Sequence, residues 1–260
     1  MDYNYHTHTY RCRHATGTEE EYIERAIANG IKYMGFSDHV PLKFDDGFEL
    51  RSRVPVDSAE EYVATISALR EKYKDKIDIK IGFEMEYFPA IFDKMLRDVK
   101  NYGAEYLILG EHTSDPEHPL SPEHSITPSD SIEKLKTYVS RVVDGIKTGV
   151  FTYVAHPDML NFTGDVSVYK EEMRKICKAS KEYGIPLEIN CLGIRDNRIY
   201  PNTSFWEVAG EEQCPVTFGF DAHDALSAYD GNSVPKAMDI VKKYNLNYIG
   251  KPNVILINKI

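Results

Sequence analysis

Ile132, Leu135, Val139, Val142 and Ile146 recur at steps of three and four in "SIEKLKTYVSRVVDGIKTG", and Tyr169, Met173, Ile176, Cys177 and Ser180 do the same in the next segment. That spacing sets each group on one face of a helix. Two earlier helices announce their starts. "TGTEEEYIERAIANG" offers Thr18 as N-cap, Glu21 three residues on and Gly30 as terminator, while "SAEEYVATISALREKY" offers Ser58 with Glu61. Both pairs have capping-box spacing.

Between the helical patterns lie short apolar or alternating runs: "YNYHTH", "IKYMGFSDH", "IKIGFEMEY", "AEYLILGEH", "FTYVAHPD", "IPLEINCLG" and "CPVTFGFDAHD". Strands alternating with helices predict an α/β fold with a parallel sheet of right-handed βαβ units. Seven units fit one closed or nearly closed (β/α) barrel over residues 1–260, because no Pro/Gly/Ser linker divides the chain. The Pro-rich polar segment 113–130 is expected to be an active-site loop.

Composition narrows the function. The formal net charge of −10 argues against a nucleic-acid surface, so an anionic substrate would need local cations. Cys12, Cys177, Cys191 and Cys214 form no CxxC pair and are expected to be reduced, buried small hydrophobes. With no basic-then-apolar leader and no apolar run of about 20 residues, a cytoplasmic protein without membrane contact is expected.

The strand ends carry the chemistry. His6 and His8 end the first strand, His39 the second, and Glu84 lies in the third. His112 ends the fourth, His156 the fifth, and Asp221 and His223 the seventh, with His14 a few residues into the first loop. His118 and His124 are expected elsewhere, in the long loop. In a parallel barrel the C-terminal strand ends share one face. A lone strand-end histidine is usually a hydrogen-bonded structural residue, but ligand types at six of seven matching ends argue for metal. Residues two apart on a strand point the same way, so His6 and His8 can share an ion. Mixed imidazole and carboxylate donors suit Zn²⁺, Mn²⁺ or Fe²⁺.

HxH, [ST]DH, GxE, an isolated His, AHPD and DxH occur here in that order, and the chain thereby resembles the polymerase and histidinol phosphatase (PHP) superfamily. The resemblance implies a distorted (β/α)7 barrel, TIM-like, holding two to three divalent metal ions. It puts the first on His6, His8, Glu84 and Asp221, makes Glu84 bridge to a second completed by His112 and His156, and puts a third on His14, His39 and His223. "EINCLGIR" is similar to a segment of the free-standing histidinol-phosphate phosphatases. Arg195 would then bind phosphate or, as a surface arginine, a carboxylate; Arg198 is a substitute. "GEH" stands where GSxH is more usual, and no Lys or Arg follows Asp158 until Lys170.

The implied reaction is hydrolysis of a small phosphate monoester, L-histidinol phosphate, by a hydroxide bridging two metals. Asp221, Glu84 and Arg195 would be the catalytic set, and Asp221 or an acid near the third site would move the proton. Another phosphoester, such as a nucleotide or oligonucleotide, is the rival substrate; a metal-binding regulatory or scaffold domain without turnover is the rival class. Asp38 and Asp158 could orient imidazoles or substrate, or, for Asp38, cap a turn. Glu86 and Glu111 could receive an ammonium group or be solvated rim carboxylates. The strand Tyr and Phe residues are expected in the core.

Overall fold

The computed structural model describes residues 1–113, 115–116 and 124–260. Among them, eight strands pair in sequence order, all parallel: β1 Tyr3–Asn4, β2 Tyr33–His39, β3 Asp78–Met85, β4 Tyr106–Leu109, β5 Phe151–Val154, β6 Leu187–Asn190, β7 Pro215–Gly219 and β8 Asn247–Tyr248. Each of the seven expected runs contains one of these strands. β8, two residues long, was not legible as a strand and adds to the edge of β7. Beyond the regular strands the sheet curls until Thr7, after β1, bridges in parallel to Ala222, after β7. His8 N–H donates to the Ala222 carbonyl at 2.9 Å and Ala222 N–H to His6 at 3.2 Å. The (β/α) barrel is therefore drawn together at its C-terminal face, where the candidate ligands lie.

The helices are α1 Glu19–Ala28, α2 Ala59–Tyr73, α3 Phe92–Tyr102, α4 Ile132–Lys147, α5 Val166–Tyr183, α6 Cys191–Arg195, α7 Thr203–Glu212 and α8 Ser233–Lys243. The Thr18–Glu21 box opens α1 as its spacing requires, and Gly30 follows the end of α1 at φ +82°. The second box does not form. A 3₁₀ turn over Val56–Ser58 runs straight into α2, so Ser58 is helical and caps nothing. Glu61 instead takes Arg11, which reaches it at 2.9 and 2.7 Å and also pairs with Glu19. One buried guanidinium thus ties the loop after β1 to both α1 and α2. "EINCLG" also divides differently: β6 stops at Asn190, whose side chain accepts from Gly193 N–H and caps α6.

Most of the apolar surface lies between strands and helices, as in any sheet covered on its outer face. A second cluster fills the barrel itself: Tyr3, Tyr5, Tyr106, Ile108, Tyr153 and Ala155. Of the strand tyrosines expected in the core, Tyr3, Tyr5, Tyr106 and Tyr153 are buried there, while Tyr33 and Tyr87 are half-buried against it. A buried hydroxyl usually finds a partner, though that of Tyr153 has no hydrogen bond among the described residues. The Tyr3 hydroxyl lies 3.0 Å from Thr217 Oγ1, and the Tyr106 hydroxyl donates to the Tyr5 and Phe36 carbonyls at 2.8 and 3.2 Å. Tyr106 fits because Gly35 and Gly82 face it. Among the described residues no helix is long and apolar enough to cross a membrane.

A Cβ at Gly35 would overlap the Tyr106 hydroxyl and lie 2.7 Å from Cζ and 2.8 Å from Tyr5 Cδ1. Gly35→Ala should therefore cost about 1–3 kcal/mol of stability, the usual penalty of an overfilled core. Urea unfolding checks this, and an unchanged midpoint would contradict the packing described.

Candidate metal centre

Register delivers the first contact. β2 runs beside β3 with His39 paired to Glu84, and His39 Nδ1 lies 3.2 Å from Glu84 Oε2. The segments after β1 and β7, held together by the Thr7–Ala222 bridge, bring His6 and His8 to the same oxygen and Asp221 beside both imidazoles. His6 Nε2 is 3.6 Å from Glu84 Oε2 and 3.5 Å from Asp221 Oδ1; His8 Nε2 is 3.5 and 3.2 Å from the same two atoms. Four donors around an ion at about 2.0–2.1 Å form a tetrahedron with edges of roughly 3.3 Å, so the spacing suits an ion such as Zn²⁺.

The other carboxylate oxygen of Glu84 serves a second group. His156 Nε2 approaches Oε1 to 2.8 Å and His112 Nε2 to 3.4 Å. His14, His39 and His223 also converge, with ring centroids 5.3 Å apart for His14–His39 and 4.9 Å for His14–His223. His8 lies against this third group, 4.4 Å from His39 and 4.1 Å from His223, so its boundary with the first is shared. Cys12 was expected to be only a small hydrophobe. It is buried, and its sulfur falls within 4.8 Å of donor atoms of His14 and His223.

The imidazoles are aimed from behind. His6 Nδ1 lies 2.8 Å from Glu188 Oε1, and His112 Nδ1 2.8 Å from Glu86 Oε1. His14 and His223 direct Nδ1 at the carbonyls of Cys12 and Asp221, at 2.8 and 3.2 Å. These contacts leave Nε2 facing the cluster, as ligating histidines require. Two ligand-type residues sit in left-handed backbone, His156 at φ +30° and Asp221 at φ +48°. Such conformations persist only where surrounding contacts enforce them.

The inward atoms lack ordinary partners. His6 Nε2, His8 Nε2, both oxygens of Glu84 and Asp221 Oδ1 are buried and turn only to other members of the cluster, with no hydrogen bond of ordinary geometry among the described residues. Unpartnered buried polar atoms are expensive, and a shared cation would satisfy all of them. Charge points the same way. Burial would raise the Glu84 and Asp221 carboxyls, but the surrounding imidazoles reverse this and hold both well below their usual range. Burial and the His8 charge push His39 well down and His223 to about 3. His6, His8 and His112 are raised instead, the carboxylates around them outweighing burial, so the metal-free cluster pairs imidazolium with carboxylate, and a divalent ion would take the place of those protons.

Several surrounding residues differ from expectation. Glu86 is no rim carboxylate: it is buried, clamped by Arg53 at 2.9 and 2.6 Å, and it holds His112. Glu111 is also buried, accepts Tyr87 N–H at 3.2 Å, and is raised well above its usual range by burial and Glu86. Asp38 accepts from Thr9 N–H and hydroxyl and from His39 N–H while lying 3.5 Å from His8 Nδ1, so turn-capping and imidazole-facing roles coincide. Asp158 accepts from Asn202 N–H and Trp206 Nε1 and anchors α7. His124 does not lie apart. It lines the cleft with its ring 5.9 Å from His112, whereas His118 falls outside the described residues.

Above the cluster opens a cleft of about 510 Å³, lined also by Arg195, Arg198, Met159, Leu192 and Tyr200. Arg195 both lines it and pairs with Asp230 at 2.9 Å; Arg198 donates to the Tyr200 hydroxyl at 3.1 Å. Glu188, Arg53 and Asn190 were not assigned roles from sequence. Glu188 left a signal, since an acid inside the apolar run "IPLEIN" needs a buried partner.

Comparison with known proteins agrees with this geometry. The PHP domain family model matches residues 4–191. A probable histidinol-phosphatase of Deinococcus radiodurans is 24% identical over 226 residues, 84% of this chain and 85% of that protein. The histidinol-phosphatase of Bacillus subtilis is 28% identical over 256 residues, 85% and 92% of the two chains. In fold, the chain matches the crystal structure of histidinol phosphate phosphatase from Lactococcus lactis, complexed with zinc, L-histidinol and phosphate. The TM-score is 0.68 at 19% identity, over 95% of both chains.

Metal uptake should depend on pH with a definite sign. In the metal-free site burial lowers His8, but Asp221, Asp38 and Glu84 outweigh it and raise the imidazole to about 9. That value lies above the ordinary 6.5, so a proton occupies His8 throughout the neutral range and must leave before a metal binds. Affinity should rise about tenfold per pH unit for each proton displaced, up to about pH 9, and level off above it. Competition with a chromophoric chelator, corrected for the chelator's own protonation, measures this; a flat profile would contradict it.

Proposed function

The chain belongs to the PHP domain family, and from that premise we propose that it is a metal-dependent phosphatase converting L-histidinol phosphate to L-histidinol and phosphate. The observation that carries this reading is the convergence of His6 and His8 on Glu84 and Asp221, with imidazole–carboxylate distances of 3.2–3.6 Å, at the floor of a cleft also lined by Arg195 and Arg198. We assign His6, His8, Glu84 and Asp221 to a first ion, Glu84, His112 and His156 to a second, and His14, His39 and His223 to a third. Two to three ions of Zn²⁺, Mn²⁺ or Fe²⁺ suit these donors. The zinc in the Lactococcus lactis structure makes Zn²⁺ the first to test.

Such ions, when bound, supply positive charge against the phosphate dianion and make water nucleophilic near neutral pH. The protein does the rest. Arg195 reaches into the cleft while Asp230 holds it from the side, an arrangement that presents guanidinium N–H groups to phosphate oxygens. Arg198, steadied by Tyr200, can join it. Glu84 spans two donor groups and so fixes their separation. Asp221, held ionised well below the usual range, is a weak base, so its place at the cleft suits accepting a hydrogen bond from the attacking water rather than holding its proton. Met159 and Leu192 give the cleft an apolar wall for the leaving group. We also read residues 1–260 as one catalytic domain, cytoplasmic, with its four cysteines free.

The test is kcat/KM for L-histidinol phosphate against a panel of phosphomonoesters and nucleotides, with metal content measured on the same sample. Histidinol phosphate should lead by at least about a hundredfold, the discrimination available from a pair of charge-assisted contacts. A nucleotide leading by that margin would overturn the substrate. Full metal content without phosphate release from any ester would favour the binding-domain reading. Glu84→Gln should remove metal and reduce kcat by at least about a hundredfold, since one donor group then faces an NH₂ in place of an oxygen and both lose the carboxylate charge between them.

Arg195→Ala should lower kcat/KM for the phosphate ester by about 10–100-fold, the worth of one hydrogen bond to a charged group. Its metal content should be unchanged. Steady-state kinetics with metal analysis checks both, and unaltered kinetics would return Arg195 to a purely structural pair with Asp230.

A further inference from the structure

Glu188 lies in the middle of β6, completely buried, with three contacts that together reach both sides of the cluster. Oε1 meets His6 Nδ1 at 2.8 Å. Oε2 accepts the backbone N–H of His156 at 3.0 Å and the side-chain amide of Asn190 at 2.8 Å. The same Asn190 nitrogen reaches Asp221 Oδ2 at 3.1 Å. Room for the carboxylate comes from Gly219, where a Cβ would overlap Oε1 and crowd His6 Cβ at 3.1 Å.

We infer that Glu188 is a positioning residue that readies two metal positions at once, fixing the tautomer of His6 and the strained backbone of His156. The inference deepens the metal-dependent reading above and rests on it. An ionised carboxylate only accepts hydrogen bonds, so His6 must carry its hydrogen on Nδ1. The lone pair of Nε2 then faces Glu84 and Asp221, where it can ligate. On the other oxygen, the accepted N–H pins His156 at φ +30°, the conformation from which its Nε2 reaches Glu84 Oε1. His6 belongs to the first donor group and His156 to the second, so one carboxylate serves both. Glu86 is different, because among the ligands it holds His112 of the second group.

Glu188→Gln separates these roles from simple space filling. The amide oxygen must remain where two donors, His156 N–H and Asn190, already point. Its NH₂ then falls opposite His6 Nδ1, donor against donor. His6 relieves the clash by moving its hydrogen to Nε2, which can no longer bind an ion. The variant is isosteric, so a filler would tolerate it.

The experiment is competition of Zn²⁺ between a chromophoric chelator and metal-free wild type, Glu188→Gln and Glu86→Gln, with urea midpoints confirming that each remains folded. Glu188→Gln should weaken Zn²⁺ in one of the tightest sites, the one that includes His6, by about 10–100-fold, the usual effect of losing a partner behind a ligand, because its amide oxygen still accepts from His156 N–H. Gly219→Ala keeps the charge but displaces the whole carboxylate from both partners and should weaken two sites by a similar factor, whereas Glu86→Gln should weaken one. Wild-type affinity in Glu188→Gln, or a Gly219→Ala loss confined to one site, would overturn the inference and leave the phosphatase reading standing. Wild-type protein taking up no divalent ion would overturn both.

Discussion

Glu84 sits at the centre of the barrel mouth with both oxygens buried and imidazole nitrogens, the nearest His156 Nε2 at 2.8 Å, as their polar neighbours. A lone carboxylate in such a place would take up a proton, because burial disfavours its charge. Here imidazoles from four strand ends and the loops beyond them close on it, and it stays ionised. Much of the architecture serves that arrangement. Parallel strands bring their C-terminal ends to one face; the β2–β3 register sets His39 beside Glu84; the Thr7–Ala222 bridge swings His6, His8 and Asp221 in from the opposite side. Gly110 completes the space, since a Cβ there would overlap the Glu84 carboxylate.

Below the cluster the barrel is filled mainly by tyrosines, with Ile108 and Ala155 among them. Tyr106 spans the interior to reach carbonyls of two other strand segments, and the Tyr3 hydroxyl lies against Thr217 and Tyr248. A hydroxyl at the end of a large ring can fill volume and also satisfy backbone groups left over where short strands stop pairing. β1 has only two regular residues, so its continuation through His6 and His8 depends on such side-chain and isolated backbone contacts.

The fold was largely legible because its signals are local. Apolar runs, helical periodicity and the Thr18 cap each depend on neighbouring residues, and each corresponds to an element found here. The candidate ligands were legible for a related reason: strand ends in a parallel barrel share a face whatever the detailed packing. What escaped depends on distant partners. Ser58–Glu61 has the spacing of a capping box, yet a buried arginine from the loop after β1 competes for Glu61 and wins. Glu86 has the surroundings of a rim residue in sequence; Arg53, thirty-three positions earlier, makes it a buried support for His112. Glu188 and His6 are 182 residues apart. No periodicity encodes such pairs.

The chain's negative charge and its proposed anionic substrate fit together through this same geometry. A surface carrying a formal −10 would repel a phosphate dianion at long range. Screening reduces that repulsion beyond about 8 Å at physiological salt, so attraction needs to be strong only inside the cleft. There Arg195 and Arg198 stand at the wall, and the carboxylates of Glu84 and Asp221 are committed to the donor cluster rather than turned toward the substrate. Divalent ions on those donors would invert the local sign. The enclosed donor set and the cleft arginines thus fit the proposed substrate, one phosphate on a leaving group that the cleft can hold.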